Sequence, residues 1–281
     1  AGMNVFDSIC HAFSTVAIGG FSNHDASLGY FNSPMVNVVC TVFLLIAALN
    51  FSLHYAAVSS RSVKGYFKDP EFKAFFIIQA SLIGICFLVL TLSGYYTSAE
   101  QALDQAMIQA VSISTTAGFA TTDFSIWPTF LPIMLIFSSF IGGCASSTGG
   151  GLKVVRVCLL FLQGKREVDR LIHPKAVYSV KFGDRAMPDR VVEAVWGFFS
   201  AYAVVFVVLM IGLIATGLDN LSAFTATAAM LNNLGPGLGS VAANYADVTD
   251  AGKWILVTGM VFGRLEVFSL LVLFSPTFWR S

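Results

Sequence analysis

Three short stretches of this sequence have residue types and spacing suited to holding a dehydrated cation. They are Ser14–Ser22, Ile113–Thr121 and Leu231–Leu238. Each follows an apolar segment and carries glycine among small or hydroxyl-bearing neighbours. Gly19, Gly118 and Gly235 align without a gap, at spacings of 99 and 117 residues. A cation stripped of water needs oxygens in place of its hydration shell, and rings of backbone carbonyls supply them. Carbonyls of an extended strand normally alternate in direction. Glycine adopts positive φ without steric cost, so it lets neighbouring carbonyls face one way.

A second feature is the run Gly142–Gly151, with five glycines among Cys, Ala, Ser and Thr. Low helix propensity and small side chains make it a break inside an apolar stretch, able to move cheaply. The segment Gly149-Gly150-Gly151-Leu152-Lys153 is not a phosphate loop, because it lacks the GK[ST] ending. Gly235–Gly239 opens no dinucleotide fold, because no strand precedes it. Arg264 lies in an apolar segment, and an intramembrane ionisable residue marks function by default. Lys153, just after the break, is a weaker candidate for the same role, with snorkelling toward the cytoplasm as the alternative. An intramembrane hydrolase would need a Ser–His pair within reach. Ser146 and Ser147 have no histidine in their own repeat, and such an enzyme leaves the repeated glycines unexplained. A structural scaffold leaves them unexplained too.

The elements that must position these residues follow from hydropathy. A spanning helix takes about 20 apolar residues. Pro34–Val58, Ala74–Tyr95, Pro128–Leu152 (broken, then resumed by Val154–Leu162), Ala194–Leu218 and Trp254–Phe274 are expected to cross. Val5–Ser14, Ala102–Ser114 and Leu221–Leu231 are too short to cross and are expected to be re-entrant. Lys and Arg number four in 61–73 and seven in 165–190, but none in 1–33, 94–127 or 217–250. The positive-inside rule makes the first two regions cytoplasmic. The other three hold eight carboxylates, a field that attracts cations. The expected fold is an all-α membrane protein whose helix–pore-helix–filter–helix units surround a central pore. The units span 1–58 (lacking its outer helix), 59–170 (with the interrupted inner helix) and 171–281, three copies of one order.

Composition agrees with this. The 281 residues are 56% hydrophobic and 11% charged, with zero net charge and mean hydropathy +0.75. Soluble domains are about 25% charged. Disorder needs high charge and low hydrophobicity, and nucleic-acid binding needs a basic face. The five cysteines are scattered without metal-ligand spacing and read as buried small hydrophobes.

The order of elements, the segments Thr15–Ser22, Ser114–Thr121 and Asn232–Leu238, and the break at Gly142–Gly151 resemble the Trk/Ktr/HKT superfamily of potassium transporters, along the whole chain. The resemblance implies four repeats around one pore, with the first lying upstream, so that these residues alone would not conduct. It implies filter carbonyls from Val16, Ala17, Ile18 and Gly19, from Thr115, Thr116, Ala117 and Gly118, and from Asn232, Asn233, Leu234 and Gly235, with K⁺ bound there as the transported ion. It implies a gate at Gly143, Ser146, Ser147, Thr148, Gly149, Gly150 and Gly151, with Arg264 beside it facing the pore and Lys153 as a further candidate. With one shared glycine per segment, weak discrimination of K⁺ from Na⁺ is expected. The implied activity is channel-like potassium uptake in the bacterial cell inner membrane; a proton- or sodium-coupled symporter is the alternative. The implied partners are membrane lipid, a second copy in a homodimer, and a cytoplasmic RCK-type, TrkA-like regulatory subunit docking on Lys165–Arg190. Any nucleotide acts only through that subunit. No covalent cofactor and no nucleic acid is implied.

Overall fold

Capping residues and apolar runs divide the chain into helices, and a computed structural model describes residues 2–176, 178–273, 275–276 and 278–279. The helices are α1 (Val5–Val16), α2 (Pro34–Ala47), α3 (Phe51–Ser60), α4 (Lys64–Lys68), α5 (Pro70–Leu92), α6 (Ala99–Ser114), α7 (Leu131–Ser139), α8 (Val154–Ile172), α9 (Asp189–Ala215), α10 (Asn220–Leu231), α11 (Asp250–Arg264) and α12 (Val267–Leu273). Between α8 and α9 a two-stranded ribbon, Lys181–Phe182 and Arg185–Ala186, departs from the all-α expectation. Gly183, at φ 62, takes the first central position of its tight turn, where this conformation favours glycine.

The short helices start where side chains cap them. Asn4 accepts from Asp7 N–H, Ser98 from Gln101 N–H and Asp219 from Ser222 N–H. Each cap satisfies one of the orphan donors of the first turn. This fixes the starts of α1, α6 and α10 at 5, 99 and 220, a few residues ahead of the apolar runs in two of the three.

Among the described residues two helices, α5 and α9, are each apolar and long enough to cross a bilayer. The other expected spans differ. Pro34–Val58 is not one helix: α2 stops at Ala47 and α3 departs at 89°. Its break is held by Asn50, which caps α3, and by the distant loop, since Cys144 N–H donates to the Ala48 carbonyl and Phe51 N–H to Ser146. The segment Trp254–Phe274 breaks after Arg264, where Glu266 adopts φ 61 and the axis turns by 107°; Phe274 itself lies outside the described residues. Arg264 therefore sits at a helix end, not at mid-span. Helix α8 runs ten residues past Leu162, because its lower half is amphipathic and continues into a polar face.

The core is built around α6 and α10. Ala102, Ala106, Ala110 and Ile113 pack with Leu131, Leu135, Ala223, Ala226 and Ala229, all at most 1% exposed. Small side chains let helix backbones approach closely where no hydrophobic drive separates helix from lipid. The outward residues of α9 (Val204, Val208, Ile211) are exposed and apolar, as a lipid-facing surface requires.

Glu71, 5% exposed at the start of α5, ties the interrupted helix together. Its Oε1 accepts from Ala145 N–H (2.7 Å) and from Val155 N–H (3.1 Å). One carboxylate thus holds the loop and caps the N-terminus of α8, where the helix dipole favours negative charge. Glu71→Ala leaves two partly buried donors unpaired. It should lower the stability of the full-length protein by about 1–3 kcal/mol, read as a fall in the thermal unfolding midpoint in detergent. An unchanged midpoint would contradict the assignment.

Candidate functional site

Helices α1, α6 and α10 end alike. After the C-caps Ala17, Thr115 and Asn232, the next residue is left-handed: Ile18 (φ 50), Thr116 (φ 68) and Asn233 (φ 56). Its N–H returns to the last turn, Ile18 to Thr15, Thr116 to Ile113 and Asn233 to Met230. The following N–H does the same, Gly19 to Ser14, Ala117 to Ser112 and Leu234 to Ala229. This is the paired closure of a Schellman turn. Asparagine tolerates the left-handed region. Ile18 and Thr116 are β-branched and are strained there, at about 1–3 kcal/mol each.

The next residue in each copy is a glycine at positive φ: Gly20 (68), Gly118 (83) and Gly235 (101). Gly20, not Gly19, is therefore the conformational equivalent of the other two. The expected register is one residue off in the first segment, and Gly20 joins the candidate set. The pair Gly20-Phe21 against Gly118-Phe119 carried the correct register; two adjacent glycines offered a wrong one equally free of gaps.

The same register recurs in the side chains that hold each extended segment to its helix. Asp7 accepts from Asn23 Nδ2, Gln105 Oε1 from Thr121 Oγ1, and Ser222 Oγ from Ser240 N–H (2.9 Å). Asp7, Gln105 and Ser222 are spaced by 98 and 117 residues, as are Gly20, Gly118 and Gly235. His11 Nε2 meets Ser22 Oγ (3.0 Å), and Gln109 Nε2, 98 residues on, donates to the Thr122 carbonyl (2.8 Å), so the helix positions match although the partners do not. Several external carboxylates are thus structural. Asp219 is held below the usual carboxylate range by hydrogen bonds from the Ser222 side chain and backbone.

The three segments lean on one another in order. A Cβ on Gly20 would overlap the Ala117 carbonyl oxygen, and one on Gly118 would overlap that of Leu234; one on Gly235 meets nothing within 4 Å. Ala17, Ile18, Gly19, Gly20, Ala117, Gly118, Asn233, Leu234 and Gly235 line one cleft of about 740 Å³, with Arg264 at its edge. The carbonyl ends of three helices meet there, and their partial negative charge favours a cation. Val16, Thr115 and Asn232 do not line the cleft, nor does Thr116. The Asn232 side chain is turned into the protein, accepting from Tyr202 hydroxyl (2.6 Å) and donating to Ser139 Oγ (2.9 Å).

Their carbonyls meet the glycine-rich loop instead. Thr148 Oγ1 donates to the Val16 carbonyl (3.1 Å), and Gly150 N–H donates to Thr116 Oγ1 (2.6 Å). A Cβ on Gly149 would stand 2.8 Å from the Thr115 carbonyl oxygen, and one on Gly150 would overlap that of Asn232. Gly143 is equally confined, since its Cβ would lie 2.6 Å from Ser147 Oγ. Two cations brace the loop. Arg264 Nη1 donates to the Thr148 carbonyl (3.2 Å). Lys153 does not snorkel: Nζ folds back to the Ser147 carbonyl (3.3 Å), Ser147 Oγ (3.4 Å) and the Gly149 carbonyl. Glu266 pairs with Arg156 (2.8 Å) rather than with Arg264, joining α8 to the break before α12.

Known proteins resemble this chain along its whole length. A family model described as "TrkH: Cation transport protein" matches residues 1–281. The Trk system potassium uptake proteins TrkH of Vibrio parahaemolyticus and Escherichia coli K12 are 64% and 59% identical to it over the whole chain. The chain spans 58% of the length of each. The crystal structure of the potassium transporter TrkH from Vibrio parahaemolyticus superposes with a TM-score of 0.95 at 64% identity, covering 99% of this chain and 60% of that one. A model matched from first residue to last, with relatives this similar, leaves one conclusion: the chain belongs to the TrkH family of cation transport proteins.

Proposed function

We propose that this chain is the greater part of a potassium uptake protein of the bacterial inner membrane. Cations pass the carbonyls that follow α1, α6 and α10, and the loop 142–151 closes the path beneath them. The observation that carries this reading is the threefold recurrence of helix end, left-handed turn and positive-φ glycine, the first segment placed against a carbonyl of the second and the second against a carbonyl of the third. Residues 1–58, 59–170 and 171–281 then form three units of a pore ring. The free face of Gly235 is where a further unit completes it.

The loop is suited to gating because it is both small and well held. Glycine at 149 and 150 is required by contact with the carbonyls above, and Lys153 and Arg264 hold the loop through its own carbonyls. Two positive charges below a cation path also raise the barrier to entry. Glu266 is committed to Arg156, which leaves it a structural partner rather than a proton carrier. That favours channel-like permeation over coupled symport.

Regulation fits the cytoplasmic half of α8. Lys165 and Arg170 are exposed, while Arg166 is drawn inward to Asp189 (2.6 Å). An RCK-type subunit docking on the exposed pair can pull α8, and with it Lys153 and the loop. A homodimer is part of the same proposal.

Two measurements check it, both by ⁸⁶Rb⁺ and ²²Na⁺ uptake into proteoliposomes holding the full-length protein. Gly118→Ala, which drives a Cβ into the Leu234 carbonyl, should lower the preference for K⁺-like ions about tenfold, or about 1.4 kcal/mol; retained preference would remove Gly118 from the filter. Lys153→Met removes a charge-assisted tether of about 1.5–3 kcal/mol and should raise basal uptake about tenfold or more without a regulatory subunit. Unchanged or lower uptake would place the gate elsewhere.

A further inference from the structure

The clamp that holds the first extended segment differs in chemistry from the other two. Ser22, Asn23 and His24 follow Gly20-Phe21 and are all fastened to α1. Asn23 Nδ2 donates to Asp7 Oδ1, His11 Nε2 meets Ser22 Oγ, and Ser22 Oγ accepts from His24 N–H (3.1 Å). His24 Nε2 stands 3.2 Å from Asp7 Oδ2. In the second copy, 98 residues on, Gln105, Gln109, Thr121 and Thr122 occupy the positions of Asp7, His11, Asn23 and His24. The third clamp is Ser222 on Ser240. Of the three, the first alone holds ionisable groups.

Asp7 is 4% exposed, and residues 1–33 contain no Lys or Arg to balance it. The two histidines beside it are placed differently. His11 is buried and satisfied while neutral. Its Nδ1 lies 2.8 Å from the Asp7 carbonyl, which can only accept, so Nδ1 carries the hydrogen and Nε2 accepts from Ser22. Its ring is enclosed by Phe31 and Phe119, where charging it would cost desolvation. His24 Nε2 has no hydrogen-bond partner, so what the ring offers Asp7 at 3.2 Å is charge. The ring lies flat on Tyr30, 3.7 Å away with 5° between the planes, and an aromatic face favours a cation over it. Phe31 meets its edge. The side chain is 23% exposed, open to protons from the outer solution. The titratable groups around it are Asp7 and His11 from α1, Tyr30 from the turn Ser27–Phe31, and the exposed Asp25 next in the chain.

We infer that Asp7 and His24 are positioning residues for the first filter segment, and that protonation of His24 tightens that segment alone. A charged ring adds an ion pair to the neutral Asn23 contact, and charge-assisted contacts are about twice as strong as neutral ones. Histidine changes charge between about pH 5 and pH 8. Acidification within that range therefore holds Ser22–His24 more firmly to α1, and with them Gly20, which abuts the Ala117 carbonyl. Preference for the K⁺-like ion rises, while the added positive charge slows the approach of both cations alike. The ratio of the two ions and their total uptake thus move in opposite directions. This rests on the reading of Gly20 as part of the filter.

The test is ⁸⁶Rb⁺ and ²²Na⁺ uptake into proteoliposomes holding the full-length protein, at equal pH inside and out, taken from about pH 8 to about pH 5.5. The expected result is a Rb⁺/Na⁺ ratio that rises about threefold on acidification while total uptake falls. In His24→Gln and in Asp7→Asn the ratio should stay flat across the range. A flat or falling wild-type ratio overturns the inference, whether or not either variant folds. So does a rise that survives His24→Gln. Gly118→Ala, run beside them, separates this inference from the filter itself. If that variant loses the preference while the wild-type ratio is flat, the clamp alone fails. If it keeps the preference, the filter reading fails and takes the clamp with it.

Discussion

A helix that stops inside a membrane must close its own backbone, because no water is there to do it. The rest of this structure depends on how α1, α6 and α10 meet that constraint. Each ends in a left-handed residue whose N–H, with the next, returns to the last turn. The closure occupies the carbonyls two and three residues before the C-cap and leaves only those after them without an intrahelical partner, and the chain leaves in an extended direction with a glycine at its first bend. Strain at Ile18 and Thr116 is a cost of this geometry, and the Asp7, Gln105 and Ser222 clamps hold the segments that carry it. Closed in this way, the three helix ends turn their partial negative charge toward the cleft.

The glycine-rich loop uses the same free carbonyls from below. Val16, Thr115 and Asn232 present theirs to Thr148, Gly149 and Gly150, so the upper and lower halves of the site share one layer of backbone. This explains the loop's composition at Gly149 and Gly150, where a Cβ would run into those carbonyls. It also links distant elements. Glu71 fixes the loop to α8, Lys153 and Arg264 brace its carbonyls, and the Arg156–Glu266 pair carries α8 to the break after α11. Movement of α8 is thereby mechanically coupled to the layer under the cleft.

Much of this was legible in the sequence. Hydropathy located α5 and α9, and run length separated the three short helices from the spans. Composition marked the loop, and a lone arginine in an apolar segment marked Arg264. What hydropathy could not register were hydrogen bonds from far away. The bends at Ala48 and Leu265 look like continuous apolar spans until Cys144, Ser146 and Arg156 reach them. The register of the first segment failed for a local reason, since Gly19 and Gly20 are interchangeable in composition but not in φ. Lys153 looked like a snorkelling residue because nothing in its neighbours' identities shows that φ 78 turns it back onto the loop. The partners of Asn232 and Glu71 lie 30 and more residues away, beyond any local pattern.

The central claim is that conformation, not glycine content, defines the ion path: Gly20, Gly118 and Gly235 act together, and Gly19 does not. A Cβ at Gly20 runs into the Ala117 carbonyl, whereas at Gly19 its nearest neighbour is the Phe21 ring at 3.3 Å, a side chain that can give way. The direct measurement is the ratio of Rb⁺ to Na⁺ uptake in proteoliposomes for Gly20→Ala and Gly19→Ala of the full-length protein. Loss of the preference in Gly20→Ala and its retention in Gly19→Ala are expected. The reverse pattern would contradict the claim.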